Sequence, residues 1–121
     1  MMATEKESLG KLGEDLACKF LKKKGYKVVE RNYWQPWGEL DIVARSPEKI
    51  LVFVEVKTVK GSPPMITGED QFTRAKVTKF RRTAELYANS SKHLTSKGWR
   101  IDLVAVTIDG DIAEVKHYEN V

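Results

Sequence analysis

The chain has one cysteine, Cys18, which excludes an internal disulfide. It falls in a helical pattern beside apolar residues, where a small buried hydrophobe is the expected role. Long hydrophobic runs are missing: no stretch approaches the roughly 20 apolar residues of a membrane-spanning helix. The first twenty residues carry Glu5, Glu7, Glu14 and Asp15 without a continuous apolar segment, so a signal peptide is not expected. These absences predict a soluble, cytoplasmic protein with no membrane partner. Internal repeats and low-complexity tracts are absent too, and 121 residues are too few for two independent cores. One domain spanning 1–121 is expected. Acid is scarce in one quarter: residues 71–100 hold Glu85 against Arg74, Lys76, Lys79, Arg81, Arg82, Lys92, Lys97 and Arg100. That quarter therefore carries +7 of a total of +4, leaving −3 elsewhere. Such a local field favours a polyanion such as nucleic acid; a solvated helix face rich in Lys and Arg is the plainer alternative.

Thr4 followed by Glu7 forms a capping box, and Leu9, Leu12, Leu16, Ala17 and Phe20 recur at helical spacing until a basic run and Gly25. A first helix is expected there. Gly10 and Gly13 each cost about 1 kcal/mol in a helix interior relative to Ala, which implies the close approach of another backbone. Residues 26–33 predict a strand around Val28 and Val29. WQPWG predicts a turn whose Trp34 and Trp37 would ordinarily cover the core. Two strands over 39–45 and 51–58, joined by SPEKI, make a hairpin, and VKGSPPMITGED is an aperiodic loop. A second helix over 73–89 turns Val77, Phe80, Ala84, Tyr87 and Ala88 inward. Strands over 99–108 and 112–118 follow, about an Asp109–Gly110 turn. Helix, three strands, helix, two strands is the order of an α/β sandwich with a central mixed sheet flanked by helices.

The hairpin carries Glu39, Asp41, Glu55 and Lys57 inside otherwise apolar runs, LDIVA and LVFVEV. Burying unpaired charge costs several kcal/mol, about 2–7 even for an unpartnered polar group, so folding alone does not account for them. If residue i pairs with residue 96 − i, Asp41 stands opposite Glu55 and Glu39 opposite Lys57. That register needs SPEKI to be a five-residue connection or to include a bulge. Facing carboxylates repel, and a divalent cation removes the repulsion: Mg²⁺ takes hard oxygens from one or two carboxylates, with water and phosphate completing its shell. Asp41 and Glu55 are the candidate ligands, the Val56 carbonyl is a third, and Lys57 can set a cation against a phosphate. Such a group suits phosphodiester hydrolysis. The alternative is a pair of cross-strand salt bridges on a wet sheet face. On its own, Glu14 at the border of the first helix's apolar stripe reads as a solvated residue.

Together, Glu14, GELD with Asp41, and EVK with Glu55 and Lys57 resemble the PD-(D/E)xK nuclease superfamily, whose restriction-endonuclease-like core includes Holliday junction resolvases. The chain is more closely similar to the bacterial YraN-like family over about residues 11–106, through GEDLACKFLKKKGYKVVERNYW, GELDIVA, LVFVEVK, TRAKVTKFRRTAELY and RIDLVAV. Leu40 departs from the superfamily's name, standing where a proline could precede the aspartate; proline supplies no ligand.

The resemblance implies a restriction-endonuclease-like α-β-β-β-α-β sandwich with an extra C-terminal strand. It further implies that Asp41 and Glu55 bind Mg²⁺ or Mn²⁺, that Lys57 is the catalytic lysine, and that Glu14 joins them from the first helix. Lys76 falls where superfamily members place an auxiliary polar residue. Arg74, Lys79, Arg81 and Arg82 are candidates for phosphate contacts, which position nucleic acid without reading sequence. Glu39 matches the pattern, with Lys57 as its expected partner; Asp102 is expected to pair with Arg100 or anchor a helix. The function so implied is a metal-dependent DNA endonuclease acting on structured or damaged DNA, branched or single-stranded, as a monomer or weak homodimer. A non-catalytic nucleic-acid-binding module that keeps the fold is the alternative. So is a protein-interaction scaffold using the two tryptophans and the long loop.

Overall fold

Thr4 Oγ1 accepts the Glu7 N–H at 3.1 Å while the Glu7 side chain reaches back to Thr4, the reciprocal cap that starts α1, Glu5–Lys23. The computed structural model describes residues 4–61 and 67–121. After α1 come β1 (Lys27–Gln35), β2 (Gly38–Arg45), β3 (Leu51–Lys60), a short α2 (Gly68–Gln71), α3 (Arg74–Ser90), a 3-10 turn (Lys92–Leu94), β4 (Trp99–Asp109) and β5 (Ile112–Tyr118). The order matches the sequence expectation except for the 3-10 turn and for α2, whose first three residues lie in the segment expected to be an aperiodic loop. Residues 62–66 of that segment lie outside the described residues. No described helix is long and apolar enough to cross a membrane.

The five strands run in chain order across one sheet. Neighbours are antiparallel except β3 and β4, which pair in parallel from Leu51↔Trp99 to Lys60↔Ile108. A parallel pair needs a crossover rather than a hairpin, and α2 with α3 supplies it. The central strands are buried on both faces, as a covered sheet requires: Leu51 to Val54 are fully buried. On one face α3 packs Phe80, Ala84, Tyr87 and Ala88 onto Leu40, Val43, Phe53 and Leu103. On the other, α1 packs Ala17, Cys18 and Leu21 onto Ile42, Val52, Val54 and Val104. The result is a mixed α/β sandwich with a central sheet flanked by helices, in the restriction-endonuclease-like topology. Leu12, expected on the apolar stripe, is exposed because α1 covers the sheet with residues 13–21 instead.

The two helix glycines differ. A Cβ on Gly13 would overlap the Thr58 side chain, whereas nothing stands within 4 Å of one on Gly10. The close approach is thus to a β3 side chain at one glycine, and the expectation fails for Gly10. Gly13→Ala is expected to lose about 1–3 kcal/mol to overpacking, while Gly10→Ala gains about 0.5–1 kcal/mol of helix propensity. Urea denaturation of the two variants checks this opposition of sign.

One irregularity shapes the site. Alternation puts residues two apart on the same face of a strand, yet Leu40 packs with α3 and Ile42 with α1. The partner strand does the same: Arg31 bonds Glu14 on α1, and Tyr33 packs with α3. β1 and β2 turn over together between the pairs Arg31↔Ile42 and Tyr33↔Leu40, where Asn32 has φ 54°. Asn is among the residues that tolerate this left-handed conformation. Asp41 lies opposite Asn32, at the turnover, and so leaves the regular face of its strand.

Candidate active site

The β2–β3 ladder runs from Arg45↔Leu51 to Ile42↔Val54. This is the expected register, with Ser46–Ile50 as a five-residue connection closed by Ser46 N–H to Ile50 C=O at 2.9 Å and with Lys49 at φ 68°. The ladder stops one residue short of Asp41 and Glu55, where the strands part. In that fork Asp41 Oδ2 accepts the Val56 N–H at 2.8 Å. Burial first, then a hydrogen bond with Asp41 and that residue's negative charge, push the Glu55 carboxyl up to about 9, with Lys57 acting the other way. At neutral pH Glu55 therefore keeps its proton. Lys57 Nζ lies 3.9 Å from Glu55 Oε2.

The expected Glu39–Lys57 pair is not formed: Lys57 turns to Glu55, and Glu39 is exposed. Beyond the end of the ladder the parted strands no longer hold residues 39 and 57 at cross-strand distance. Glu39 borders the cleft beside Lys76 and Lys79 and Asp41 the cleft beside Glu14, so the turnover at Asn32 separates two residues that strand alternation would put on one face.

Two clefts meet at Lys57. One, of about 290 Å³, is lined by Leu9, Gly10, Glu14, Asp41, Lys57 and Gln71 among others. The other, of about 340 Å³, is lined by Trp34, Glu39, Glu55, Lys57, Lys76 and Lys79 among others. Glu14 thus borders the same cleft as Asp41, but its charge is answered from elsewhere. Arg31 Nε donates to Glu14 Oε1 at 3.1 Å, and the same guanidinium reaches Asp15 Oδ1 at 2.7 Å. The hydrogen bond from Arg31 holds the Asp15 carboxyl below its usual range. Gln71 was missed by sequence reasoning, although a signal existed: Thr67 and Asp70 cap α2 reciprocally in the S/T-x-x-acid pattern.

The α3 cations divide into groups. Lys76 and Lys79, one turn apart, line the larger cleft with Lys57. Arg74, Arg81 and Arg82 are exposed and lie off its lining, and Arg81 donates to the Val121 carbonyl at 2.9 Å. Trp34 and Trp37, expected to cover the core, are 66% and 50% exposed. The turnover at Asn32 presents Tyr33 to α3, where it packs against Tyr87 with ring centroids 4.9 Å apart, and leaves its neighbour Trp34 outside.

Asp102, His117 and Glu119 bring one ligand atom each within 4.8 Å of one another, a potential acidic/His metal-binding cluster. Its negative charge is already met by a side chain. Asp102 is fully buried and accepts from Arg100 Nε at 3.0 Å and from the Asn120 N–H at 2.9 Å, and it lies 2.8 Å from His117 Nε2. Arg100 also reaches the Tyr26 hydroxyl at 2.7 Å and Glu119 at 3.3 Å. The expected Asp102–Arg100 pair is present, as the centre of a network joining the end of α1 to β4 and β5.

The family model described as "Uncharacterised protein family UPF0102" matches residues 13–106, from α1 through the hydrophobic part of β4. A UPF0102 protein of Thermotoga petrophila is 44% identical over 112 residues, covering 92% of this chain and 94% of the relative. One of Syntrophotalea carbinolica is 39% identical over 117 residues, covering 97% and 93%. Another, of Desulforamulus reducens, is 33% identical over 121 residues, covering 98% of each. The matched span contains the fork at Asp41, the EVK strand and the cationic α3, and the chain belongs to the UPF0102 (YraN) family.

Proposed function

We propose that the protein is a metal-dependent DNA endonuclease whose centre is the fork between β2 and β3. The observation that carries this reading is the Asp41–Glu55 pair: two carboxyl groups held together in a half-buried fork, one forced to keep its proton to about pH 9. Folding alone gives no reason to bring these two carboxyl groups together, and a divalent cation does. The donors are hard oxygens, which suit Mg²⁺ or Mn²⁺. Asp41 and Glu55 would hold the ion, with the Val56 carbonyl as a further oxygen, and the ion would supply Lewis-acid activation of water and neutralisation of charge on the phosphate. Lys57 takes the catalytic lysine's place, its ammonium beside Glu55 and open to both clefts. Glu14 stands at the cleft rim, able to serve the site on release from Arg31. Lys76 and Lys79 extend a positive track for the strand being cut, and Arg74, Arg81 and Arg82 add field at longer range.

The test is nicking of branched and single-stranded DNA by purified protein with Mg²⁺ or Mn²⁺. Asp41→Asn and Lys57→Ala are each expected to lower the rate by about 100-fold or more. Unchanged cleavage in both variants removes the fork from the mechanism. The engagement of Glu14 by Arg31 favours a second reading, a DNA-binding module that keeps the fold without catalysis. Cleavage failing across metals and substrates, with salt-dependent DNA binding intact, selects it.

A further inference from the structure

We infer that Trp34 is a stacking platform for an unpaired nucleobase, so that the cleft between β1 and α3 takes single-stranded DNA rather than intact duplex. The inference rests on the DNA reading of the fork and extends it to a base subsite. Folding gives no reason for an indole at this position. Trp99 packs edge-on against Phe53, with centroids 5.6 Å apart. Trp34, by contrast, is 66% exposed and pairs with no aromatic ring among the described residues. A large exposed indole adds nothing to the core and leaves apolar surface in water.

Its position is what matters. Trp34 walls the same cleft as Glu55, Lys57, Lys76 and Lys79, and the cleft's volume of about 340 Å³ is in the range of small-ligand sites. Among the described residues, Lys76 and Lys79 make no salt bridge, so their charge is directed outward from α3. An aromatic face beside a cationic track is the arrangement that binds unpaired strands: every base has a π-face to stack, and the phosphates on either side follow the lysines. A duplex hides its base faces and would touch only the lysines. Trp34 also sits beyond the turnover at Asn32, paired with Glu39 beside the Pro36–Trp37 bend, at the hairpin end of the sheet's edge strand. A strand stacked there has its neighbouring phosphate on the Lys57 side of the cleft, next to the carboxyl fork.

The experiment is fluorescence anisotropy with a labelled thymidine oligonucleotide of roughly 15 nucleotides and a blunt duplex of the same length, both in chelator. Trp34→Ala is expected to weaken single-strand binding about 5- to 100-fold and leave the duplex within about twofold, whereas Trp34→Phe keeps most of the affinity. Lys76→Ala is expected to weaken both ligands and to flatten their salt dependence. Equal losses on both ligands, no loss, or no single-strand binding by the unsubstituted protein overturns the inference. So does a concentration-dependent dimer abolished by Trp34→Ala, which would make the indole a contact with a second copy. Because chelator removes any metal, failure to detect cleavage leaves this test standing. Cleavage that persists with Trp34→Ala neutral on both ligands overturns the stacking site alone.

Discussion

Glu55→Gln is expected to be inactive and, at pH 8, more stable than the unsubstituted protein by about 2–4 kcal/mol. The sign follows from proton binding. An unfolded Glu releases its proton near 4.5, whereas folded Glu55 keeps it to about 9, chiefly because it is buried and then because Asp41 is its neighbour. The contribution to stability is full below 4.5 and is lost as pH rises toward 9. The magnitude allows for the solvent contact of a side chain 19% exposed. Glutamine carries no such proton, so the slope between these limits should flatten. A divalent cation should separate the two proteins: held by Asp41 and Glu55 it would displace the Glu55 proton and raise the natural protein's stability at pH 8 by mass action, whereas the variant offers it only one carboxylate. Urea denaturation at pH 5 and pH 8, with and without Mg²⁺, reads all of this. A natural protein whose stability is level across that range would overturn the raised Glu55 carboxyl.

Asp102→Ala is expected to cost about 3–5 kcal/mol, because it leaves the partly buried Arg100 guanidinium with only the exposed Glu119 carboxylate as counter-charge and removes the acceptor shared by His117 and the Asn120 N–H. Burial raises the Asp102 carboxyl, but the hydrogen bonds from His117, Arg100 and Asn120 outweigh it and hold the group below its usual range. Its contribution is therefore present above about 3.8 and lost as pH falls through the lower folded value. The two buried carboxyls thus respond to pH in opposite directions, Glu55 weakening the fold toward alkali and Asp102 toward acid. Arg100→Leu combined with Asp102→Leu should lose less than the sum of the single changes, since the pair removed whole leaves no unpaired charge between them. Thermal denaturation of the three variants tests the coupling. Additive losses would make the network a set of independent contacts.

Much of this architecture is written locally. The Thr4–Glu7 cap, the inward face of α3 and the register of the β2–β3 hairpin follow from short-range patterns, because helix spacing and strand alternation repeat within a few residues. The adjacency of Asp41 and Glu55 follows from that register. What the patterns do not carry is where alternation breaks. The turnover at Asn32 and Asp41 depends on two strands rotating together, so the exposure of Trp34 and the solvated Glu39 are invisible to a period of two. Long-range partners are equally hidden: Arg31 faces Glu14 because of how α1 crosses the sheet, and the Asp102 network draws on residues 26, 100, 117, 119 and 120. The short helix bearing Gln71 went unseen because four residues are too few to show a period.

The network around Asp102 also has a meaning in the order of synthesis. Lys24 and Tyr26 meet His117 and Glu119 across 93 positions of chain. On the ribosome the fork, the EVK strand and the cationic helix are all translated before those partners exist. A message ending ahead of codon 117 would encode every residue assigned here to catalysis or DNA contact. Its product would still leave the fully buried Asp102 with Arg100 as its sole remaining partner from the network's acceptors and donors described above. The proposed site thus lies within residues 14–82, while the partners that complete the network around buried Asp102 come from residues 117–120.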